Sequence, residues 1–159
     1  VLVDVVDREL RRLAKGRTLE RARLTGDFLS FRHFTPDRFG ASIALLEVGF
    51  VGWPGEPDHP LVDELAAHTR RAGRVLVITF GSAGVRVVDA RGSRADDRWF
   101  DVDPVPVVGT TVGCGDAFIS AFLEAWYRTP DVDEAVDAGR SLGAAATGWD
   151  RPLPDSAYC

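Results

Sequence analysis

The chain has 159 residues, a formal net charge of −5, and 45% hydrophobic against 27% charged residues. That length and balance suit one folded domain with its own core and exclude a disordered chain. The acidic charge argues against a nucleic-acid partner, which needs a basic face, and no apolar run approaches membrane-spanning length, which excludes a spanning helix.

No basic-apolar-small leader opens the sequence, so the expected location is cytoplasmic. Two cysteines, Cys114 and Cys159, suggest neither a disulfide framework nor a metal cluster. In chain order, Leu2, Val6, Leu10 and Leu13 fit a helical stripe from about Asp4, while the opening five residues also fit a strand. Positions 17–27 are polar and basic and read as a solvated stretch. Aromatics alternating through Phe28–Phe34 predict a strand, stopped by Thr35-Pro36-Asp37. His33 beside it is a candidate acid–base group, although a lone histidine is more often structural.

Apolar residues from Ile43 to Val51 predict a buried strand, and the proline-rich run Gly52–Pro60 a rigid loop. Leu61–Ala72 predicts a helix, with Asp63 and Glu64 at its start, Arg70 and Arg71 at its end, and Gly73 as its stop. The uninterrupted apolar run Val75–Thr79 is a strand of the type buried on both faces, which implies a parallel strand-helix-strand crossover. After the glycine turn Phe80–Gly84, a hairpin is expected from Val85–Asp89, a turn at Arg91-Gly92-Ser93, and Trp99–Val102. An apolar helix over Asp116–Tyr127, expected to be buried, leads through a capping-box pattern at Asp131-x-x-Glu134 to a small-residue helix over Ala135–Thr147.

The densest chemistry lies at Val108–Phe118. Gly113 and Gly115 flank the small Cys114, so the backbone can turn its N–H groups one way at the positive end of the next helix, an anion site. Asp116 at its mouth would lie beside bound phosphate oxygens, where a carboxylate has use as a proton acceptor. The arrangement suits phosphoryl transfer. An ordinary strand-to-helix turn is the plain alternative. Cys114 itself reads as a packing residue, because no histidine nearby in sequence activates it. A dinucleotide oxidoreductase fits poorly, since Phe118 stands where G-x-G-x-x-G needs its third glycine, and a serine hydrolase fits worse, as no G-x-S-x-G occurs.

Thr111–Leu123 resembles the C-terminal signature of the ribokinase-like (PfkB) sugar kinases, T-x-G-A-G-D followed by a small, apolar helix. Thr110 and Cys114 depart from the usual residues, but both are small and the backbone supplies the hydrogen bonds. The resemblance implies an α/β fold, a ribokinase-like (Rossmann-like) three-layer α/β/α core with a mostly parallel sheet. It covers about 43–150 of a single domain over 1–159, leaving 1–42 without a match, and most of the family's N-terminal half and lid are absent. It implies an ATP-dependent kinase acting with Mg2+ on a hydroxyl of a small-molecule sugar or sugar derivative, as a short or truncated member. Gly113, Cys114 and Gly115 would form the anion hole, with Asp116 as general base. Thr79, Gly81 and Gly84, in a turn resembling the family's T-L-G-x-x-G, and Ala144, Thr147 and Gly148 would contact nucleotide. Glu56 would order magnesium through water, although Trp53 stands where the family's N-x-x-E has Asn; fructosamine (fructoselysine-type) kinases also vary in this loop. A non-catalytic nucleotide-binding or oligomerisation module derived from such a kinase stays open, as does a homodimer.

Overall fold

The computed structural model describes residues 22–31 and 34–150, together with Arg12. The helix expected from Asp4, His33 and the closing Arg151–Pro154 segment lie outside the described residues. Among the described residues the strands and longer helices follow in the order β1 (Thr25–Asp27), α1 (Pro36–Ile43), β2 (Val48–Gly52), α2 (Pro60–Ala72), β3 (Val75–Thr79), β4 (Val85–Asp89), β5 (Asp96–Phe100), α3 (Cys114–Arg128) and α4 (Val132–Ala146). The strands form one sheet in the order β1-β2-β3-β4-β5. β1 pairs parallel with β2, Thr25 opposite Val48, and β2 pairs parallel with β3, Val48 opposite Val75 and Gly52 opposite Thr79. The links from β3 to β4 and from β4 to β5 are too short for a crossover, so the sheet continues as an antiparallel hairpin and is mixed.

Two compact units divide the chain, Val1–Gly81 with Arg86–Trp99, and Ser82–Val85 with Phe100–Cys159. The first is built around Phe28, Phe39, Ile43, Val62, Leu65, Leu76 and Ile78. Val75, Leu76, Val77 and Ile78 are all fully buried, as expected for a strand with both faces covered. Local chemistry sets the helix ends. Thr35 caps α1 by accepting the Arg38 N–H at 3.4 Å, with Pro36 at the first helical position. His59 Nδ1 caps α2 by accepting the Leu61 N–H at 3.2 Å, again ahead of a proline. Gly73, left-handed at φ 63°, closes α2 as the sequence indicates.

Three expectations about the first unit are corrected. The first strand is Thr25–Asp27, inside the stretch expected to be solvated, and Phe28–Phe31 is a turn. Asp27 Oδ1 accepts the Leu29 N–H at 2.8 Å, and Leu29 and Phe31 adopt positive φ, so the chain leaves the sheet there. Phe28 and Phe31 enter the core instead, Phe28 lying 4.8 Å from Phe39 ring to ring. The strand expected from Ile43 begins only at Val48, because Phe39, Ser42 and Ile43 are the buried face of α1. The hairpin's second strand is Asp96–Phe100 rather than Trp99–Val102. Asp97 is drawn into it by Arg70 and by Arg86, whose Nε donates to Asp97 Oδ1 at 2.9 Å. Arg86 also reaches Asp63 of α2 at 2.8 Å. This network ties the hairpin to α2: the bond from Arg86 lowers the Asp97 pKa, and Asp97 raises that of Arg86.

In the second unit α3 and α4 pack against one another. Phe118, Phe122 and Trp126, one turn apart, stack with centroids at 6.1 and 5.7 Å. α3 is less uniformly buried than its composition suggests: Ala117, Phe118, Phe122, Ala125 and Trp126 are buried, while Ile119, Ala121 and Leu123 are only partly so. Asp131 accepts the Glu134 N–H at 2.9 Å, the first half of the expected capping box. The small residues of α4 have a geometric purpose. A Cβ on Gly139 would come within 2.8 Å of the Phe118 ring, and one on Gly143 within 3.4 Å of the Cys114 carbonyl oxygen.

Candidate functional site

The glycine turn ends in the left-handed Gly113, φ 91° and ψ −9°, and α3 starts at once with Cys114 and no side-chain cap. Thr110 organises the approach: its hydroxyl accepts the Val112 N–H at 3.0 Å, and the Cys114 N–H is taken by the Thr111 carbonyl at 3.3 Å. The N–H groups of Gly113, Gly115 and Asp116 have no acceptor among the described residues. These are orphan donors of a helix start, and with the helix dipole they favour an anion. A Cβ on Gly115 would meet nothing within 4 Å, so open space lies in front of that residue. The Asp116 carboxylate stands exposed in the same first turn, with no hydrogen-bond partner among the described residues.

The segment entering the turn is strapped to the end of α4. The Val108 and Gly109 N–H groups donate to the Thr147 carbonyl at 3.2 and 3.0 Å, and the Thr110 N–H to that of Trp149 at 3.2 Å. The approach at Gly109 is so close that a Cβ would lie 1.9 Å from the Trp149 oxygen, which only glycine tolerates. Sequence reasoning missed this position, and its signal was a glycine between two extended stretches. Of the candidate nucleotide residues, Ala144 and Thr147 are half-buried and Gly148 is exposed, and the strap ties Thr147 to the segment that leads into the glycine turn. The Thr147 hydroxyl is already engaged, donating to the Ala144 carbonyl at 2.8 Å. Burial pushes the Cys114 thiol up, which agrees with a packing role.

Thr79 and Gly81 lie in the first unit. Thr79 ends β3 half-buried, and its carbonyl accepts the Trp53 N–H at 2.8 Å, so it shares a sheet edge with the loop that carries Glu56. Gly81 is exposed with φ 60°, and Gly84 is buried with φ 147°. Both conformations disfavour a side chain. Glu56 is exposed. Among the described residues no three His, Cys, Asp or Glu side chains group to hold a metal.

The mixed α/β sheet, with glycine turns beyond its strands and at the start of a following helix, is a ribokinase-like fold by its match to solved structures. Solved structures share that fold. Adenosine kinase from Schistosoma mansoni in complex with adenosine and AMP superposes with TM-score 0.67 at 18% identity, covering 92% of this chain and 48% of that one. Burkholderia thailandensis nucleoside kinase in complex with inosine gives 0.67 at 21% identity, covering 92% and 46%. The family model of the pfkB family carbohydrate kinases matches residues 48–149, and the chain belongs to that family. It is 29% identical over 140 residues to the ATP-dependent ribose-1-phosphate kinase of Halopiger xanaduensis, across 85% of this chain and 44% of that protein. The chain thus spans less than half the length of this relative. No helix among the described residues is long and apolar enough to cross a membrane.

Proposed function

We propose that this chain carries the nucleotide-handling and phosphoryl-handling half of an ATP-dependent kinase whose acceptor is a hydroxyl of a small sugar or sugar derivative. The observation that carries the reading is the first turn of α3. Three N–H groups and a carboxylate without a hydrogen-bond partner among the described residues share it, ahead of an open face. Phosphoryl transfer needs little covalent help from the protein, so positioning and electrostatic stabilisation do most of the work.

In this reading Asp116 takes the proton of the acceptor hydroxyl as its oxygen bonds to the γ-phosphorus. The bond from that phosphorus to the β–γ bridging oxygen breaks, and ADP leaves with the electron pair. The turn Gly113-Cys114-Gly115 holds the transferred group, its donors being the N–H groups of Gly113, Gly115 and Asp116, since that of Cys114 is engaged. In the second unit this reading gives nucleotide contact to Gly84, Ala144, Thr147 and Gly148; in the first it gives nucleotide contact to Thr79 and Gly81, and to Glu56 the ordering of a magnesium-bound water. Magnesium, when bound, supplies positive charge against the phosphates. Residues 43–150 form the half that does this.

The test is Asp116→Asn, which keeps size and hydrogen bonding but cannot accept the proton. ADP release that depends on a sugar should vanish while ATP affinity stays; loss of folding instead would make the acid structural. A second reading, ATP binding without transfer, is favoured by Trp53 standing where the family's N-x-x-E has Asn. It calls for ATP-dependent thermal stabilisation with no sugar-dependent ADP release.

A further inference from the structure

The loop between β2 and α2 contains two prolines within Trp53-Pro54-Gly55-Glu56-Pro57, so few backbone N–H groups are left to close it. One side chain does so. The Trp53 indole N–H donates to the Glu56 carbonyl at 3.2 Å, and the His59 N–H reaches the same oxygen at 3.3 Å. The Trp53 backbone N–H is held by Thr79 at 2.8 Å. Its ring lies 6.3 Å from that of Phe31 and 5.3 Å from that of His59, so it is fixed at both ends. Gly55 leaves the indole its room: a Cβ there would stand 3.2 Å from Nε1.

We infer that Trp53 is a positioning residue for Glu56: its indole N–H fixes the backbone that presents this carboxylate, anchored through Thr79 to the end of β3. A tryptophan thereby supplies the loop-closing donor at a position where a short amide side chain would otherwise be expected. The inference rests on the reading of Glu56 as the acid that orders magnesium-bound water.

Two measurements separate the inference from that reading. Hydrogen exchange of the Trp53 indole proton, assigned among the four tryptophans by its loss in Trp53→Phe, needs no nucleotide. It should be slower than in free indole and speed up about fivefold in Gly55→Ala, the loss of one ordinary hydrogen bond. Calorimetric titration of ATP, with magnesium and with EDTA, forms the second arm. Trp53→Phe should weaken binding about fivefold with magnesium and leave the EDTA titration unchanged. Glu56→Gln should do the same, and the double variant should be no worse than Glu56→Gln alone. Exchange at the free-indole rate in the unmodified chain overturns the inference whatever ATP does. So does full magnesium-dependent binding in Trp53→Phe when Glu56→Gln has lost it. An unaffected Glu56→Gln removes the reading of Glu56 and the inference with it.

Discussion

Alanine at Gly139 should destabilise the chain, although helix propensity alone says the opposite. Replacing a mid-helix glycine gains about 1 kcal/mol. Against that, the new methyl would meet Phe118 ring atoms at 2.8, 2.9 and 3.0 Å. The ring has little room to retreat, because Phe118 is 6% exposed and stacks on Phe122 at 6.1 Å. Overpacking of this kind costs about 1–3 kcal/mol, so the net loss expected is about 1 kcal/mol. Gly143, one turn on, is the control. Its Cβ would make ordinary contacts, 3.4 Å to the Cys114 oxygen and 3.5 Å to the Phe118 Cβ, so Gly143→Ala should keep most of the roughly 1 kcal/mol gain. Urea unfolding followed by far-UV circular dichroism should place the two variants on opposite sides of the unmodified protein, about 2 kcal/mol apart. If Gly139→Ala is stabilised as much as Gly143→Ala, α3 and α4 are not clamped through Phe118.

The remaining expectations concern charge and reactivity. The hydrogen bond from Arg86 lowers the Asp97 pKa, so its contribution to stability is present above the unfolded carboxylate value of about 3.9 and is lost as pH falls through the folded value. Asp97→Asn should therefore cost about 1 kcal/mol between pH 5 and 7, with the gap to the unmodified protein closing below about pH 4; a gap that persists in acid would show that the charge is not what matters. Since burial raises the Cys114 pKa, iodoacetamide at pH 7.5 should modify Cys114 more slowly than a free cysteine, as read by peptide mass spectrometry. Modification at the free rate would contradict the packing role.

How far the sequence could be read differed by element, for physical reasons. α2 and β3 were legible nearly to the residue, because capping chemistry, a terminal glycine and an uninterrupted apolar run mark them locally. Phe28–Phe34 misled, because aromatic alternation looks the same in a strand and in a turn whose rings all fold into one core. What ended that strand was Asp27 bonding the Leu29 N–H, an Asx turn with little periodic signal. The hairpin slipped because Asp96 and Asp97 look like loop residues until Arg70 and Arg86 are placed beside Asp97. At the candidate site, Gly113, Gly115 and Asp116 were visible as a motif. The strap through Gly109 and the indole closure by Trp53 were not, since each depends on a contact fixed only by folding.

The most direct test of the central claim is calorimetric titration of ATP with magnesium into the unmodified chain, Gly115→Val and Asp116→Asn. A side chain at Gly115 enters open space, so the valine variant should fold normally while its methyl groups obstruct the space before the orphan N–H groups. Binding that survives in Asp116→Asn and weakens at least about tenfold in Gly115→Val, equivalent to about 1.4 kcal/mol, places the phosphates at the start of α3. Binding indifferent to Gly115→Val, or none to the folded chain, would contradict it.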